Sequence, residues 1–559
     1  FTQSEFESSI ENIKKYIKNY GLSKTPSSDN SKDSDDNKNI TVAIALNDEE
    51  SFHEIQKEDQ QASYFYRDDI NFDFLKFKPF PHQIEGIRWL LGHFFHAISQ
   101  GKENFEGSLL ADDMGLGKTF VTLSSIFIIH HLLRIQNATI KPILLVAPIG
   151  LLNNWVEEIK KFFNENLFDS IVILHSQGEL NKFRSDAKQD RLEQLALKIG
   201  PKYGTNRLDL PNRLILISYE TLRQYTFSMC SIDWGMVIFD EAQKIKNPNT
   251  LASRAAKGLK ADFRLAITGT PVENQLSDFW NIFDTVYPGL LGKYKDFQDL
   301  YIRPINNSGG ESDVRINIGK ELRKKVSHFM IRRTKDDNLK DLPQKNVYIG
   351  KTAHGISLEP IMSGDQLNAY NSVIKHISAI KDKKNIFLQS LHRIKNISLH
   401  PSLDINCAIP IPNNKNDAIN ILSLSAKLHV LIDIINIIRE RNEKVIIFLV
   451  NKNLQFFLSI SLRLIYSIDN ISIINGDTKS ITSESSKDKS RNSIIEKFQN
   501  THGFNIIIMS PLAAGFGLTI TSANNVIHLE RHWNPAKEDQ STDRVYRIGQ
   551  TKDVNIYIP

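Results

Sequence analysis

The amino-acid sequence predicts an α/β protein with two parallel-sheet lobes and a helical region between them. Short, continuously apolar runs alternate with helical patterns from about Lys78 onward, and the same alternation recurs late in the chain. Continuous apolar strands separated by helices are typical of parallel sheets, which are buried on both faces. The stretch from about Gln275 to Leu424 has few strand signals, so it is predicted to be the helical region.

Eight apolar runs support this prediction. The first lobe has four, at 142–148, 213–219, 235–242 and 263–271, and the second lobe has four, at 444–450, 471–477, 505–511 and 525–530. Ligands of open parallel sheets bind beyond the carboxyl ends of the strands. Polar residues that follow these runs are therefore the candidates for function.

Length and composition exclude several classes of protein. At 559 residues the chain is too long for one ordinary core, and 41% hydrophobic and 24% charged residues describe a soluble globular protein. No apolar run approaches the 18 residues of a membrane span. Two cysteines, Cys230 and Cys407, exclude a disulfide scaffold and a cysteine-based zinc module. The net charge of +5 is compatible with a polyanionic partner but does not establish one.

The N-terminal region differs from the rest of the chain. Ile10, Ile13 and Ile17 share one face of a helix predicted at 6–20. Residues 23–39 are polar and charged, which predicts a solvated linker. The chain begins with Phe1 and shows no signal peptide, so we expect a fragment or a chain that has lost its start.

The stretch LLADDMGLGKTF (109–120) resembles a phosphate-binding loop in which Asp112 replaces the first glycine. Gly115 and Gly117 allow backbone amides to close on an anion. Lys118 can reach the β- and γ-phosphates of a nucleotide, and Thr119 offers a hydroxyl to magnesium. Alone, this short match leaves open a nucleotide site or a chance occurrence.

Two further clusters suit nucleotide hydrolysis. In VIFDEAQKIKN (237–247), a strand ends in Asp240, which is suited to hold magnesium, and Glu241, which can orient and deprotonate the attacking water. In QSTDRVYRIGQ (540–550), the spacing of Arg544 and Arg547 places both on one face of a helical turn. In an ATPase these two arginines are candidates for arginine fingers.

The ordered motifs resemble the Swi/Snf family of superfamily-two, helicase-like ATPases. In the first lobe these motifs are FPHQIEGIRWL (80–90), LLADDMGLGKT (109–119), LLVAPIGLLNNW (144–155), LISYETL (216–222), DEAQKIKN (240–247), LAITGTPVEN (265–274) and MIRRTKDDNLKDLPQK (330–345). In the second lobe they are SAKLHVL (425–431), INGDT (474–478) and HWNPAKEDQSTDRVYRIGQ (532–550). The resemblance covers about Phe80 to Ile558, and in this family an aspartate habitually stands where other phosphate loops have glycine.

The resemblance implies two RecA-like lobes in tandem, with a helical insertion and a small N-terminal extension. The expected divisions are 1–77 (extension), 78–345 (first lobe), 346–424 (helical connection) and 425–559 (second lobe, truncated at its C-terminus). It also implies a motor that hydrolyses ATP with Mg²⁺ between the lobes and translocates on double-stranded DNA without separating the strands.

The family's functional residues carry over to matching positions of this chain. Gln83 is expected to read adenine, Lys118 and Thr119 to bind phosphate and magnesium, and Asp240 and Glu241 to serve magnesium and water. Arg544 and Arg547 are expected to reach the γ-phosphate, and Gln540 belongs to their motif. DNA contacts are expected at Trp155, Ser218, Tyr219, Lys246, Thr268, Thr270, Thr519 and Trp533, where Thr268 and Thr270 would also couple hydrolysis to DNA grip.

Two substitutions depart from the family pattern. Gln243 replaces the histidine of DEAH-type motifs but spares both carboxylates, and Ser541 stands where alanine is common. We therefore expect hydrolysis to be intact.

Several hypotheses for the biological role are compatible with the sequence. The favoured one is a bacterial cytoplasmic motor that remodels DNA–protein complexes, with anti-phage defence as one role and partner proteins in a larger complex. The alternatives are a nuclear chromatin remodeller or repair motor, a transcription-recycling factor, an RNA helicase of the same superfamily, and a binding scaffold with an inactive site.

Overall fold

The computed structural model describes residues 70, 72–99, 107–135, 138–175, 177–185, 197–270, 275–307, 312–339, 342–379, 384–406, 408–478, 490–514 and 518–559. The chain divides into two compact units at residues 340 and 341, which we call the first and second lobes. The helix predicted at 6–20 and the linker predicted at 23–39 lie outside the described residues. None of the described helices is long and apolar enough to cross a membrane.

The first lobe contains a parallel sheet of seven strands in the order β3-β4-β2-β5-β6-β1-β7. Its strands are β1 (Gly107–Leu110), β2 (Ile143–Ala147), β3 (Ser170–Leu174), β4 (Arg213–Ser218), β5 (Asp233–Asp240), β6 (Lys260–Ile267) and β7 (Met330–Ile331). The four apolar runs predicted for this lobe form β2, β4, β5 and β6. They are continuously apolar because helices cover both faces of the sheet: Ile238 and Phe239 are adjacent on β5 but enter different hydrophobic clusters.

Twelve α-helices belong to the described part of the first lobe. They are α1 (Pro81–Ser99), α2 (Lys118–Ile135), α3 (Leu152–Phe162), α4 (Gln177–Phe183), α5 (Tyr219–Gln224), α6 (Thr226–Cys230), α7 (Leu251–Gly258), α8 (Leu276–Val286), α9 (Tyr294–Phe297), α10 (Arg303–Asn307), α11 (Ser312–Val326) and α12 (Lys335–Asn338). Short 3₁₀ or π segments lie at Ile149–Leu151, Pro201–Asn206, Ala242–Ile245 and Gln298–Ile302.

The second lobe contains a parallel sheet of six strands in the order β10-β11-β9-β12-β13-β8. Its strands are β8 (Lys345–Tyr348), β9 (Lys444–Phe448), β10 (Ser472–Ile474), β11 (Asn505–Met509), β12 (Asn525–His528) and β13 (Val554–Tyr557). The four apolar runs predicted for this lobe form β9 to β12. The prediction of two parallel-sheet α/β lobes is confirmed.

Eight α-helices belong to the described part of the second lobe. They are α13 (Gly364–Ala379), α14 (Lys384–Leu399), α15 (Lys415–Ser423), α16 (Ala426–Glu440), α17 (Lys452–Tyr466), α18 (Arg491–Asn500), α19 (Pro511–Ala514) and α20 (Pro535–Thr542). A 3₁₀ segment lies at Pro401–Asn406.

The helical connection expected at 346–424 differs from the structure. Leu399 and Leu422 pack in the same hydrophobic cluster as Ile447 of β9, so these helices are part of the second lobe. Lys345–Tyr348 also belongs to the second sheet, as its edge strand β8. The sequence does not reveal this strand because its residues are half-buried or exposed, and it therefore lacks a continuous apolar run.

Candidate active site

Three polar segments meet at the carboxyl edge of the first sheet, where β5, β6 and β1 are neighbours. Asp240 ends β5, Thr268 follows β6, and Asp112 follows β1. This is the edge at which parallel sheets bind ligands. The first-lobe motifs therefore converge there, as their positions after apolar runs predicted.

The phosphate loop connects β1 to α2, which begins at Lys118. Gly115 and Gly117 have φ of 88° and 90°, in the left-handed region that favours glycine. A side chain at Gly117 would also collide with the amide of Gln83. The loop requires glycine at 117 for backbone conformation and for space.

The ammonium of Lys118 lies inside this loop. Its Nζ donates hydrogen bonds to the backbone carbonyls of Asp112 at 2.7 Å and Asp113 at 3.0 Å. Burial lowers the pKa of Lys118, and four carboxylates oppose this by raising it: those of Asp112, Glu241, Asp240 and Asp113. Arg333 and Arg332 lie against the Asp112 and Asp113 carboxylates, which leaves Asp240 and Glu241 as two acidic groups beside the one ammonium of Lys118.

Asp240 is held by two aromatic side chains. Trp155 Nε1 donates a hydrogen bond of 2.8 Å to its Oδ2, and the Tyr219 hydroxyl donates one of 2.8 Å to its backbone carbonyl. Burial and, next, the charge of Glu241 raise the pKa of Asp240 to about 7, whereas the Trp155 hydrogen bond and Lys118 oppose this. The carboxylate is therefore fixed in place within a crowded acidic environment.

Glu241 has φ of 52°, which is uncommon for a residue with a side chain. Its backbone N–H donates to Asp240 Oδ1 at 2.9 Å. Its carboxylate accepts a hydrogen bond of 2.6 Å from the Gln243 amide, whose oxygen accepts one of 2.8 Å from the Thr268 hydroxyl. Strained backbone of this kind clusters at functional sites. Gln243, the departure from the family's histidine, thus links the second acidic residue to the loop after β6.

The loop after β6 lies directly against the phosphate loop. A Cβ at Gly269 would come within 2.9 Å of Met114 Cγ and 3.7 Å of Lys118 Nζ. Glycine at 269 is therefore required for close approach. Thr270 donates its backbone N–H to the Thr268 hydroxyl at 3.0 Å.

The first turn of α1 also contacts the phosphate loop. Gln83 Nε2 donates to the carbonyl of Leu116 at 3.2 Å, and the His82 ring lies 3.1 Å from the same carbonyl. Gln83 Oε1 accepts from the backbone N–H of Phe80 at 3.0 Å. The residue expected to read adenine is thus buried beside the loop expected to bind phosphate.

The second-lobe arginines do not lie on a helix, contrary to the sequence interpretation. Helix α20 ends at Thr542, and both arginines follow it in turns and bends before Gly549, whose φ is 98°. Arg544 is buried, whereas Arg547 is half-buried and donates to the Thr519 hydroxyl at 2.7 Å. Gln540 is buried within α20.

Four of the residues expected to contact DNA are interior: Trp155, Ser218, Tyr219 and Thr268. The polar side-chain atoms of these four residues are used inside the lobe, and their DNA contacts remain predictions. Trp155 and Tyr219 hold Asp240, Thr268 holds Gln243, and the Ser218 hydroxyl caps α5 by accepting from Thr221 N–H.

The other four predicted DNA-contacting residues retain solvent access. Trp533 is 75% exposed, with Lys395 Nζ lying 5.4 Å from its ring centroid. Thr519 is exposed, Thr270 is half-buried, and Lys246 is half-buried beside Asp278, with Nζ 3.2 Å from Oδ2. These assignments remain predictions.

The family described as "SNF2-related domain" matches residues 82–406, and "Helicase conserved C-terminal domain" matches residues 426–549. The chain belongs to the SNF2-related family. This family assignment confirms the resemblance drawn from the motifs.

Two relatives illustrate the range of this SNF2-related family. Zorya protein ZorD of Escherichia coli O139:H28 is 38% identical over 493 residues, covering 86% of this chain and 42% of the relative. DNA repair and recombination protein RAD26 of Saccharomyces cerevisiae is 26% identical over 492 residues, covering 81% of this chain and 42% of the relative. The chain thus spans less than half the length of these relatives.

A solved structure, the Sulfolobus solfataricus SWI2/SNF2 ATPase core in complex with dsDNA, is also similar to this SNF2-related chain. It is 29% identical and covers 88% of this chain and 89% of its own, with a TM-score of 0.40.

Proposed function

We propose that this SNF2-related protein is a motor that hydrolyses ATP at the first-lobe site and translocates on double-stranded DNA to remodel DNA–protein complexes. The observation that carries the proposal is the convergence of Lys118, Asp240 and Glu241 at one sheet edge, in a chain that matches the family along most of its length. A phosphate-binding ammonium beside two adjacent carboxylates is the minimum equipment for phosphoryl transfer to water.

The residues present fit a magnesium ion. The two carboxylates of Asp240 and Glu241 exceed the charge of the one Lys118 ammonium, which favours a divalent cation there. Among the described residues, no group of three or more His, Cys, Asp or Glu side chains could hold a metal. The ion would be held by Thr119 and Asp240 together with phosphate oxygens and water, as magnesium prefers. When bound, it would neutralise charge that develops on the phosphates.

Each protein group then has a defined task. Lys118 would exchange its two backbone carbonyl partners for phosphate oxygens, and the left-handed glycines would present amides to the same anion. Glu241 would orient and deprotonate the attacking water while Gln243 holds its second oxygen. Arg544 and Arg547 are proposed to stabilise the charge that develops on the γ-phosphate.

Duplex DNA is the proposed track. Exposed Trp533 beside Lys395, exposed Thr519 and half-buried Lys246 supply the mixture of hydroxyl, aromatic and cationic groups that backbone contacts require.

For the biological role, we propose the motor of a bacterial anti-phage defence system that works with partner proteins. The support is the 38% identity to Zorya protein ZorD, compared with 26% to the repair protein RAD26. A repair motor is the second candidate because RAD26 matches over 81% of this chain.

The test measures ATP hydrolysis with magnesium and with duplex DNA, single-stranded DNA or RNA. We expect duplex DNA to stimulate most, and displacement of a triplex-forming strand from duplex DNA to require ATP. Glu241→Gln should lower hydrolysis by a factor of about 100 or more while ATP and DNA binding persist. Greater stimulation by RNA would support an RNA helicase instead, and wild-type protein without turnover would support an inactive scaffold.

A further inference from the structure

The aspartate that replaces the first glycine of the phosphate loop forms a buried ion pair with Arg333. Asp112 Oδ1 accepts hydrogen bonds of 3.0 Å from both the backbone N–H and the Nε of Arg333, and its Oδ2 accepts one from Nη2. The residues are 1% and 3% exposed. A buried carboxylate needs such a partner, and the planar guanidinium satisfies both oxygens at once.

Arg333 also contacts the turn expected to recognise adenine. Its Nη1 donates to the backbone carbonyl of His82 and lies 3.7 Å from a carboxylate oxygen of Glu85. The guanidinium therefore bridges the start of α1 and the start of the phosphate loop. Gln83, between His82 and Glu85 in the sequence, contacts the other end of that loop at Leu116.

The backbone around Arg333 lies beside the start of the phosphate loop and is hydrogen-bonded to it. Ala111 donates its N–H to the Ile331 carbonyl at 2.8 Å, and Asp113 donates to the Arg333 carbonyl at 2.9 Å. Arg332 adds a contact of 3.7 Å to the Asp113 carboxylate. These contacts extend the pairing of β1 with β7 beyond the strands themselves.

Gly86 shows how little space the guanidinium has. A Cβ at Gly86 would lie 2.6 Å from Arg333 Nη2 and 3.2 Å from both Arg333 Nη1 and Val121 Cγ1. An arginine tip can usually move aside, but here it is held by Asp112 and the His82 carbonyl. The Arg333 guanidinium therefore fits against α1 only because residue 86 has no side chain.

We propose that Arg333 is a positioning residue for the nucleotide: it acts through Asp112 and His82 to set the distance between the adenine-recognising turn and the phosphate loop. Arg333 need not touch the nucleotide itself. This inference rests on nucleotide binding by the first lobe, which is part of the proposed function. It adds a role for the MIRRTK segment and for the aspartate at position 112.

A purely structural ion pair is the competing explanation, and it predicts a different result. Breaking a structural pair lowers stability without changing how the folded protein discriminates between nucleotides. If Arg333 sets the distance between the adenine-recognising turn and the phosphate loop, its displacement weakens ATP binding. It also reduces selectivity for ATP over GTP, because Gln83 is no longer held at the correct distance from the phosphate loop.

The chain offers a matched pair of variants on one helix. Gly86→Ala places a methyl group against Arg333, whereas Gly92→Ala, also within α1, has no atom within 4 Å of the added Cβ. Both replace a helical glycine with alanine, so their effects on helix propensity cancel in the comparison. Neither variant removes a charge. Both should therefore disturb folding less than removal of the Arg333 side chain would.

The experiment measures dissociation constants of fluorescent methylanthraniloyl-ATP and methylanthraniloyl-GTP for the folded chain at a temperature below the onset of thermal unfolding. We expect Gly86→Ala to weaken ATP binding at least fivefold and to reduce the ATP preference, while Gly92→Ala matches the wild type. Arg333→Lys, which keeps the charge but loses the fork, should do the same. In the Arg333→Lys background, Gly86→Ala should add little.

Equal affinities and equal nucleotide preference for Gly86→Ala and Gly92→Ala would overturn the inference, even if Gly86→Ala unfolds at a lower temperature. Failure of the wild type to bind either nucleotide would instead overturn the proposed function. The two failures are thus distinguished by the wild-type measurement.

Discussion

Trp155 Nε1 donates a hydrogen bond of 2.8 Å to Oδ2 of Asp240, although the two residues are 85 positions apart in the chain. The indole is almost completely buried, so its hydrogen bond fixes the carboxylate that is expected to hold magnesium. Groups that orient metal-binding carboxylates commonly affect metal affinity by 10- to 100-fold. We therefore regard Trp155 as a support for Asp240.

Trp155→Phe keeps an aromatic ring in the core and removes the donor. We expect the Mg²⁺ concentration for half-maximal ATP hydrolysis to rise about tenfold, because Asp240 loses its orientation. The measurement is a magnesium titration of hydrolysis together with ATP binding in EDTA, which should change little.

Trp280→Phe is the matched control for this variant. Trp280 is buried to the same degree, and its Nε1 donates to the Gly292 carbonyl at 3.0 Å rather than to a carboxylate. It should lower stability but leave the magnesium requirement unchanged. A similar magnesium shift in both variants would contradict the role of Trp155.

The sequence predicts both sheets because their central strands are continuously apolar, and it predicts the first-lobe site because polar residues follow those strands. It misses the half-buried edge strand β3, the four-residue strand β13, β7, which has only two residues, and β8, whose edge position exposes its side chains. It also misses the pairing of Asp112 with Arg333, 221 residues later. Such pairing depends on β1 lying next to β7, and no local pattern encodes which strands become neighbours.

The sequence also does not reveal that four residues are interior, because no local pattern encodes which groups they meet. These are Trp155, Ser218, Tyr219 and Thr268. The sequence motifs place these residues after predicted strands, where a side chain can point to solvent or into the lobe. The hydrogen-bond partners that it finds inside the lobe decide which way it points. Asp240 and Gln243 provide hydrogen-bond partners for three of the four.

The Gln243 amide links Glu241 to Thr268 by hydrogen bonds of 2.6 and 2.8 Å. Thr268→Val removes the hydroxyl with little change in shape, and Thr268→Ser keeps it. We expect Thr268→Val to lower the rate of ATP hydrolysis about tenfold with little change in ATP affinity, because Gln243 is then free to rotate away from Glu241. Thr268→Ser should hydrolyse ATP nearly normally. Equal rates for the two variants would show that this chain of hydrogen bonds does not orient Glu241.

Arg547 Nη1 donates to the Thr519 hydroxyl at 2.7 Å, on a part of the second lobe with solvent access. We expect Arg547→Ala and Arg544→Ala each to lower the rate of ATP hydrolysis about 1000-fold, the lower end for arginine fingers, with nucleotide affinity little changed. The measurement is single-turnover hydrolysis, with the protein in excess over ATP and at a saturating concentration. Arg439→Ala, at an exposed arginine over the Tyr466 ring, is the control and should hydrolyse normally. Normal rates in both test variants would remove the arginine-finger assignment.

His528 of β12 gives the second lobe a dependence of stability on pH. Its ring stacks on Phe448 with centroids 5.2 Å apart, and burial lowers the pKa of His528 from 6.5 to about 4. The native histidine is therefore neutral above pH 4, whereas the unfolded one takes up a proton below pH 6.5. Stability is fully present above pH 6.5 and is lost progressively as the pH falls towards 4.

Between pH 7.5 and 5, this histidine should account for a loss of about 2 kcal/mol in the free energy of unfolding. His528→Phe preserves the stacking ring and cannot be protonated, so its stability should fall less over this range, although it loses the 2.9 Å hydrogen bond with Thr542 at all pH values. Urea titrations followed by circular dichroism at the two pH values measure this difference. His376→Gln, at an exposed side chain of the same lobe, serves as the control and should follow the wild type. If His528→Phe shows the full wild-type pH dependence, protonation of His528 is not its cause.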